Sequence, residues 1–186
     1  MRTSKTFSRL SAPARITLVS LLPIFIIAAF MFLLPVGEFS SRLESFIDLH
    51  LLGRVGPWSS RFPLDSKVIA NYIAVAAPIV SLVLILHWRQ HRPRPAEPLL
   101  AMNRHRFVLL CCSILSIAAV MLYYSYFSYL DASQGRTKYR IFGESRVLFP
   151  VFAALYMVVF EYLLLAAYVL FVHYPLWLLV QRRSGN

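Results

Sequence analysis

Acid is scarce in this chain, and so are cysteine and glycine. Of 186 residues only eight are Asp or Glu, against nineteen Lys or Arg, for a formal net charge of +11. The two cysteines, Cys111 and Cys112, are neighbours. Adjacent side chains on a helix diverge by about 100°, so these two do not readily bridge each other. A disulfide framework is excluded, and both read as inert thiols. Six glycines, none in a glycine-rich run, leave no loop to cradle a phosphate. A zincin motif, paired carboxylates and a Ser/His/Asp set are also missing. His87, His91 and His105 sit in or beside an Arg- and Pro-rich connector without a matching Cys or acid cluster, which argues against a metal. The expectation is a non-enzyme, with no catalytic, metal or cofactor-binding residue and no cofactor.

Long hydrophobic runs are what the chain has. It is 59% hydrophobic, with a mean hydropathy of +0.63, too apolar for a soluble domain. Val147–Val180 contains no Lys or Arg and a single acid, Glu161. About 20 such residues cross a bilayer. Ile16–Leu34, Val68–Trp88 and Phe107–Leu130 are three further runs. The first is longer than a secretory signal core and lacks a small-residue cleavage site, so it is read as an uncleaved span. The fold expected over 1–186 is an all-α integral membrane protein, one four-transmembrane-helix bundle. Its spans fall at about 16–34, 68–88, 107–130 and 147–173, the last broken near Pro175. In the first connection Phe39, Leu43, Phe46, Ile47 and Leu51 recur at helical spacing. With Ser41 and Glu44 as a capping box and Gly53 as a C-cap, they predict a short amphipathic helix in the interface.

The basic residues lie in the connections. The N-terminus, second connector and C-terminus hold eleven; the first and third connectors hold eight, diluted by six acids. The positive-inside rule then places both termini in the cytoplasm, with Pro35–Lys67 and Asp131–Arg146 outside. The charge encodes topology and meets lipid headgroups rather than nucleic acid. Ala70, Ala74, Ala77 and Ser81 form a smooth stripe on the second span, suited to close helix packing. A carboxylate at the depth of Glu161 costs roughly 2.5–3.5 kcal/mol on insertion scales and needs a polar neighbour. Counting residues from each interface puts Glu161, Ser81 and Ser116 at one depth, which predicts an intramembrane polar cluster with an interhelical hydrogen bond.

Local sequence carries a resemblance. Pro63-Leu64-x-x-Lys67-Val68-x-x-x-Tyr72, with Ala76 and then Pro78, is similar to the entry of the second span in immunity proteins against pore-forming colicins, the colicin A type. Gly135-Arg136, followed by Arg140, resembles that family's last outer loop, and Leu155-Tyr156 with its apolar run resembles the fourth span. The similarity extends diffusely over residues 16–183. The chain departs from the family in its Arg-Pro-rich connector and in Glu161. The resemblance implies a multi-pass protein of the bacterial inner membrane. It would bind the pore-forming domain of a cognate bacteriocin and keep its channel from opening. Lipid is as apolar as an inserting helix, so choice of partner is expected at the outer rim: Tyr123, Tyr126, Arg136, Lys138 and Arg140, with Asn71 just below; the same rings and bases read equally as an interfacial anchor that meets water and lipid phosphate. Two other classes use the same features: a small assembly subunit of a membrane complex, and a transporter or membrane enzyme built on Glu161.

Overall fold

A computed structural model describes residues 11–33, 37–91, 99, 102–134 and 137–184, without the side chains of 137–139 and 181–184. Helix α1 is Ala12–Leu33, α2 Glu38–His50, α3 Pro63–His91, α4 Arg104–Tyr126, α5 Thr137–Glu144, α6 Phe149–Tyr168 and α7 Tyr174–Ser184. Two short strands, β1 (Gly56–Trp58) and β2 (Tyr129–Asp131), lie in the connections. A π-helical turn, Val169–His173, joins α6 to α7. Four segments are long and apolar enough to cross a membrane: α1, α3, α4 and the continuous Phe149–Val180. The protein is a multi-pass, all-α four-helix membrane bundle. The end bearing α2, α5 and the strands is called the capped end here, and the opposite end the terminal end.

Two boundaries differ from those read in the sequence. The third span, α4, stops at Tyr126, because the Phe127 and Ser128 amides both turn back onto the Tyr123 carbonyl (2.8 and 3.1 Å). Residues 129–130 then pair as strand, since hydropathy reports burial in lipid and not backbone conformation. Pro175 does not end the fourth span. A proline has no N–H and its ring crowds the carbonyl four residues back. The preceding turn is bonded i to i+5, with the Tyr174 amide donating to the Val169 carbonyl, and this wider turn accommodates the proline.

Helix α3 sits centrally, against α6 most extensively and α1 next. Its stripe Ala70, Ala74, Ala77 and Ser81 is buried throughout, as are Ala153 and Ala154 on α6. Apolar surface gains little between helices in lipid, so small residues that let backbones approach supply the packing. Ile24, Ile69, Ile73, Met121, Phe149, Met157 and Phe160 fill the remaining core. Helix α4 buries only Ala118, Met121 and Ser125, a narrow seam spaced three and four residues apart. It is the least buried of the four spans.

The amphipathic helix α2 begins earlier than its expected cap. Gly37 precedes it, and the Ser40 hydroxyl receives the Gly37 amide (3.1 Å) and donates to the Gly37 carbonyl (2.6 Å). Ile47 faces the protein, whereas Phe39, Phe46 and Leu49 are exposed. That pattern suits a helix lying at the headgroup boundary.

Candidate functional site at the capped end

The capped end is built by cross-ties from the first span pair to the last connection. Lys67, one turn into α3, is buried, yet its ammonium reaches up to α2. It donates to Glu44 Oε1 (2.9 Å) and to both Asp48 oxygens (3.0 Å). Glu44 and Asp48 are four residues apart, hence on one face of α2. Arg146 closes the other side: its Nε donates to Asp65 and its second guanidinium nitrogen donates to the Met31 carbonyl (2.7 Å). One guanidinium thus links the end of α1, the start of α3 and the segment entering α6.

Strand β1 lies parallel to β2, Gly56 opposite Tyr129 and Trp58 opposite Asp131. Gly56 has φ +68° and a Cβ there would touch Ala70 at 3.5 Å. The residue therefore serves both a left-handed backbone and a close approach to α3. Arg54 lies over the Trp58 ring (3.7 Å to the centroid) and the Tyr129 ring (4.5 Å), a cation–π arrangement that locks the two connections together. Ser59 is fully buried and donates to the Gly143 carbonyl at 2.5 Å.

These ties leave two surfaces. One is a cavity of about 510 Å³ between α1, α2 and α3, with Met31, Phe62 and Leu64 beside Glu44, Arg61 and Arg146. The other is an aromatic rim where α4 ends. Tyr123 and Phe127 stack with ring centroids 6.5 Å apart and are 54% and 80% exposed. Tyr129 and Leu130 continue this exposed edge. A surface of rigid rings, little charge and fixed backbone binds by contact area and shape. Among the described residues no three His, Cys, Asp or Glu side chains come together to hold a metal.

The residues singled out in the sequence divide accordingly. Tyr123 is on the rim. Asn71 is buried: its amide nitrogen donates to the Gly53 (2.7 Å) and Lys67 (2.8 Å) carbonyls, and its oxygen receives the Leu52 amide (2.9 Å). Tyr126 donates to the Ala74 carbonyl at 2.7 Å. Both hold the cap in place instead of offering a free edge. Arg140 is exposed and pairs with Glu144 one turn on (2.6 Å). Lys138 lies on α5 with its side chain outside the description, and Arg136 lies outside the described residues. Sequence reasoning missed Phe127, Arg54 and the Lys67 network. Glu44 and Asp48, i and i+4 on a short helix, were the available signal for the last.

The intramembrane cluster is not the expected one. Glu161 is fully buried, but its carboxyl accepts a hydrogen bond from Ser20 of α1 (2.9 Å). Ser81 folds back onto the Ala77 carbonyl in its own helix (2.7 Å), as intramembrane serines do. Ser116 is exposed; it lies two residues, about 200° of helix, from the buried Ala118. Depth matching sets the height of a side chain and says nothing of its azimuth. Thr17, one turn before Ser20, is also buried. Among the described residues neither the Thr17 hydroxyl nor Glu161 Oε2 meets a hydrogen-bond partner. Thr17 and Ser20 are the only hydroxyls in the first apolar run, which was the signal for this pairing.

No protein-family model, no curated protein and no solved structure matches the chain.

Proposed function

We propose that this protein is an immunity protein of the bacterial inner membrane, with both termini cytoplasmic. It binds the pore-forming domain of a cognate bacteriocin as that domain inserts, and keeps the channel closed. The observation that carries the reading is the continuity of α4 with the aromatic rim. The least buried span leads at the capped end into the exposed Tyr123, Phe127, Tyr129 and Leu130. A helix entering from the capped side would meet the rim first and then lie along α4.

The surface asks for no catalysis and no cofactor. Tyr and Phe supply contact area at low entropic cost, because each has few rotatable bonds. The Arg54 stack on Trp58 and Tyr129, the β1–β2 pair and the Tyr126 bond to the Ala74 carbonyl hold the rim before the partner arrives, which removes an ordering cost from binding. In the sequence Arg136, Lys138 and Arg140 share the last connection, a source of charge selectivity in this reading. The experiment is co-purification. An affinity-tagged chain, expressed in sensitive cells that are then treated with pore-forming bacteriocins, should retain the cognate toxin after detergent extraction. A variant carrying Tyr123→Ala and Phe127→Ala should lose it at unchanged membrane level. Retention of toxin by that variant would move the contact away from the rim. Failure to retain any pore-forming toxin would favour the assembly-subunit reading.

A further inference from the structure

The terminal end has a cleft of its own, far from the rim. Its volume is about 350 Å³ and it is lined by Arg89, Tyr168, His173, Leu176, Trp177 and Val180, within the range of ligand pockets, roughly 300–1,000 Å³. The π-helical turn makes one wall. In an unbroken α-helix, positions five apart such as Tyr168 and His173 would point about 140° from each other. The i to i+5 turn between them brings both round to one face. From His173 onward the ordinary helical spacing of Leu176, Trp177 and Val180 continues that face. Arg89 comes from the last turn of α3. It lies 26 residues beyond Pro63, about 39 Å at 1.5 Å per residue, which carries its guanidinium to the headgroup zone of a bilayer about 40–45 Å thick overall.

We propose that this cleft binds one anionic phospholipid. The phosphate sits on the Arg89 guanidinium, the glycerol lies against Leu176 and Trp177, and the acyl chains run back past Tyr168 toward the bilayer centre. Charge points to the occupant: no acid lines the cleft, and the sequence segments of this end hold eleven Lys or Arg against one acid, Glu97. Chemistry excludes a free anion as the natural partner, because most of the wall is apolar and one guanidinium is little to hold a hydrated ion. A lipid satisfies both halves, with Tyr168 and Trp177 at the boundary where amphipathic rings belong. The inference does not rest on the toxin reading.

The test uses the full chain in a neutral detergent, titrated with phosphatidylglycerol or phosphatidylcholine brominated on the acyl chains, which quench nearby tryptophans. Phosphatidylglycerol should quench at a concentration about fivefold lower, one arginine's share of the attraction to anionic lipid. That preference should shrink in Trp177→Phe to the share of Trp88, which packs against His173 (6.4 Å), vanish in Arg89→Gln, and persist in Arg89→Lys. Millimolar inorganic phosphate should not relieve the quenching. Equal quenching by the two lipids in the unaltered protein overturns the proposal, and that comparison needs no variant to fold. So does a preference that survives Arg89→Gln at unchanged helicity, or relief by phosphate alone.

Discussion

Substituting Asn71 separates a residue that builds the cap from one that merely lies near it. Its amide makes three hydrogen bonds, to Gly53 O, Lys67 O and Leu52 N. The Lys67 carbonyl lies one turn back in the same helix, so losing that bond costs little. The other two tie the first connection to α3, and each is worth about 0.5–1.5 kcal/mol net. Asn71→Ala should therefore cost about 1–3 kcal/mol. At about 2–4 °C per kcal/mol for a chain of this size, the thermal midpoint in detergent should fall by roughly 2–12 °C. Asn71→Asp is nearly isosteric yet should be worse. It keeps an acceptor for Leu52 but turns a second oxygen toward two carbonyls, leaving a buried carboxyl without its donors. The assay is circular dichroism on heating, with limited proteolysis of residues 51–62 to report lifting of the loop. If Asn71→Asp proves as stable as Asn71→Ala, or neither moves the midpoint, Asn71 does not hold the cap.

Four further perturbations follow from the same geometry. Lys67→Met should cost about 1–2 kcal/mol, below the 3–5 of a fully buried pair, because Glu44 and Asp48 are about half exposed and rehydrate; thermal unfolding in detergent measures it. Glu161→Gln should keep both the Ser20 contact and the protection, whereas Glu161→Ala should cost about 2–4 kcal/mol through the cavity it opens between α1 and α6; a transporter role would instead lose activity in the Gln variant at unchanged protein level. A Cβ on Gly143 would collide with the Ala132–Ser133 backbone, so Gly143→Ala should lower membrane abundance, seen by immunoblot, far more than Gly37→Ala, where a Cβ meets nothing within 4 Å. Ala74→Leu overfills a buried seam and should cost about 1–3 kcal/mol, while Val83→Leu, 43% exposed toward lipid, should leave the midpoint unchanged.

The spans were legible because the bilayer imposes one rule, a long apolar run, that composition reports directly. The buried stripe Ala70, Ala74, Ala77 and Ser81 was legible for a related reason: small residues at helical spacing have little other use in lipid. The β1–β2 pair was not. Gly56-Pro57-Trp58 and Tyr129-Leu130-Asp131 are three residues each, too short for a period to appear, and what pairs them lies 73 residues away along the chain. The partner of Glu161 was missed because height along a helix is countable and azimuth is not. Asn71 and Tyr126 lay near the rim in sequence, but a polar group beside a rim either faces out or braces it. Only the positions of Gly53, Leu52 and Ala74 decide which.

Potassium efflux from living cells tests the central claim most directly. Sensitive bacteria expressing this chain are treated with each of a panel of pore-forming bacteriocins, and with a nuclease bacteriocin that enters by the same receptor. Efflux should be abolished for one pore former or a few close relatives, while the nuclease toxin still kills. Undiminished efflux with every pore former, at confirmed levels of the protein in the inner membrane, or equal protection against the nuclease toxin, would contradict it.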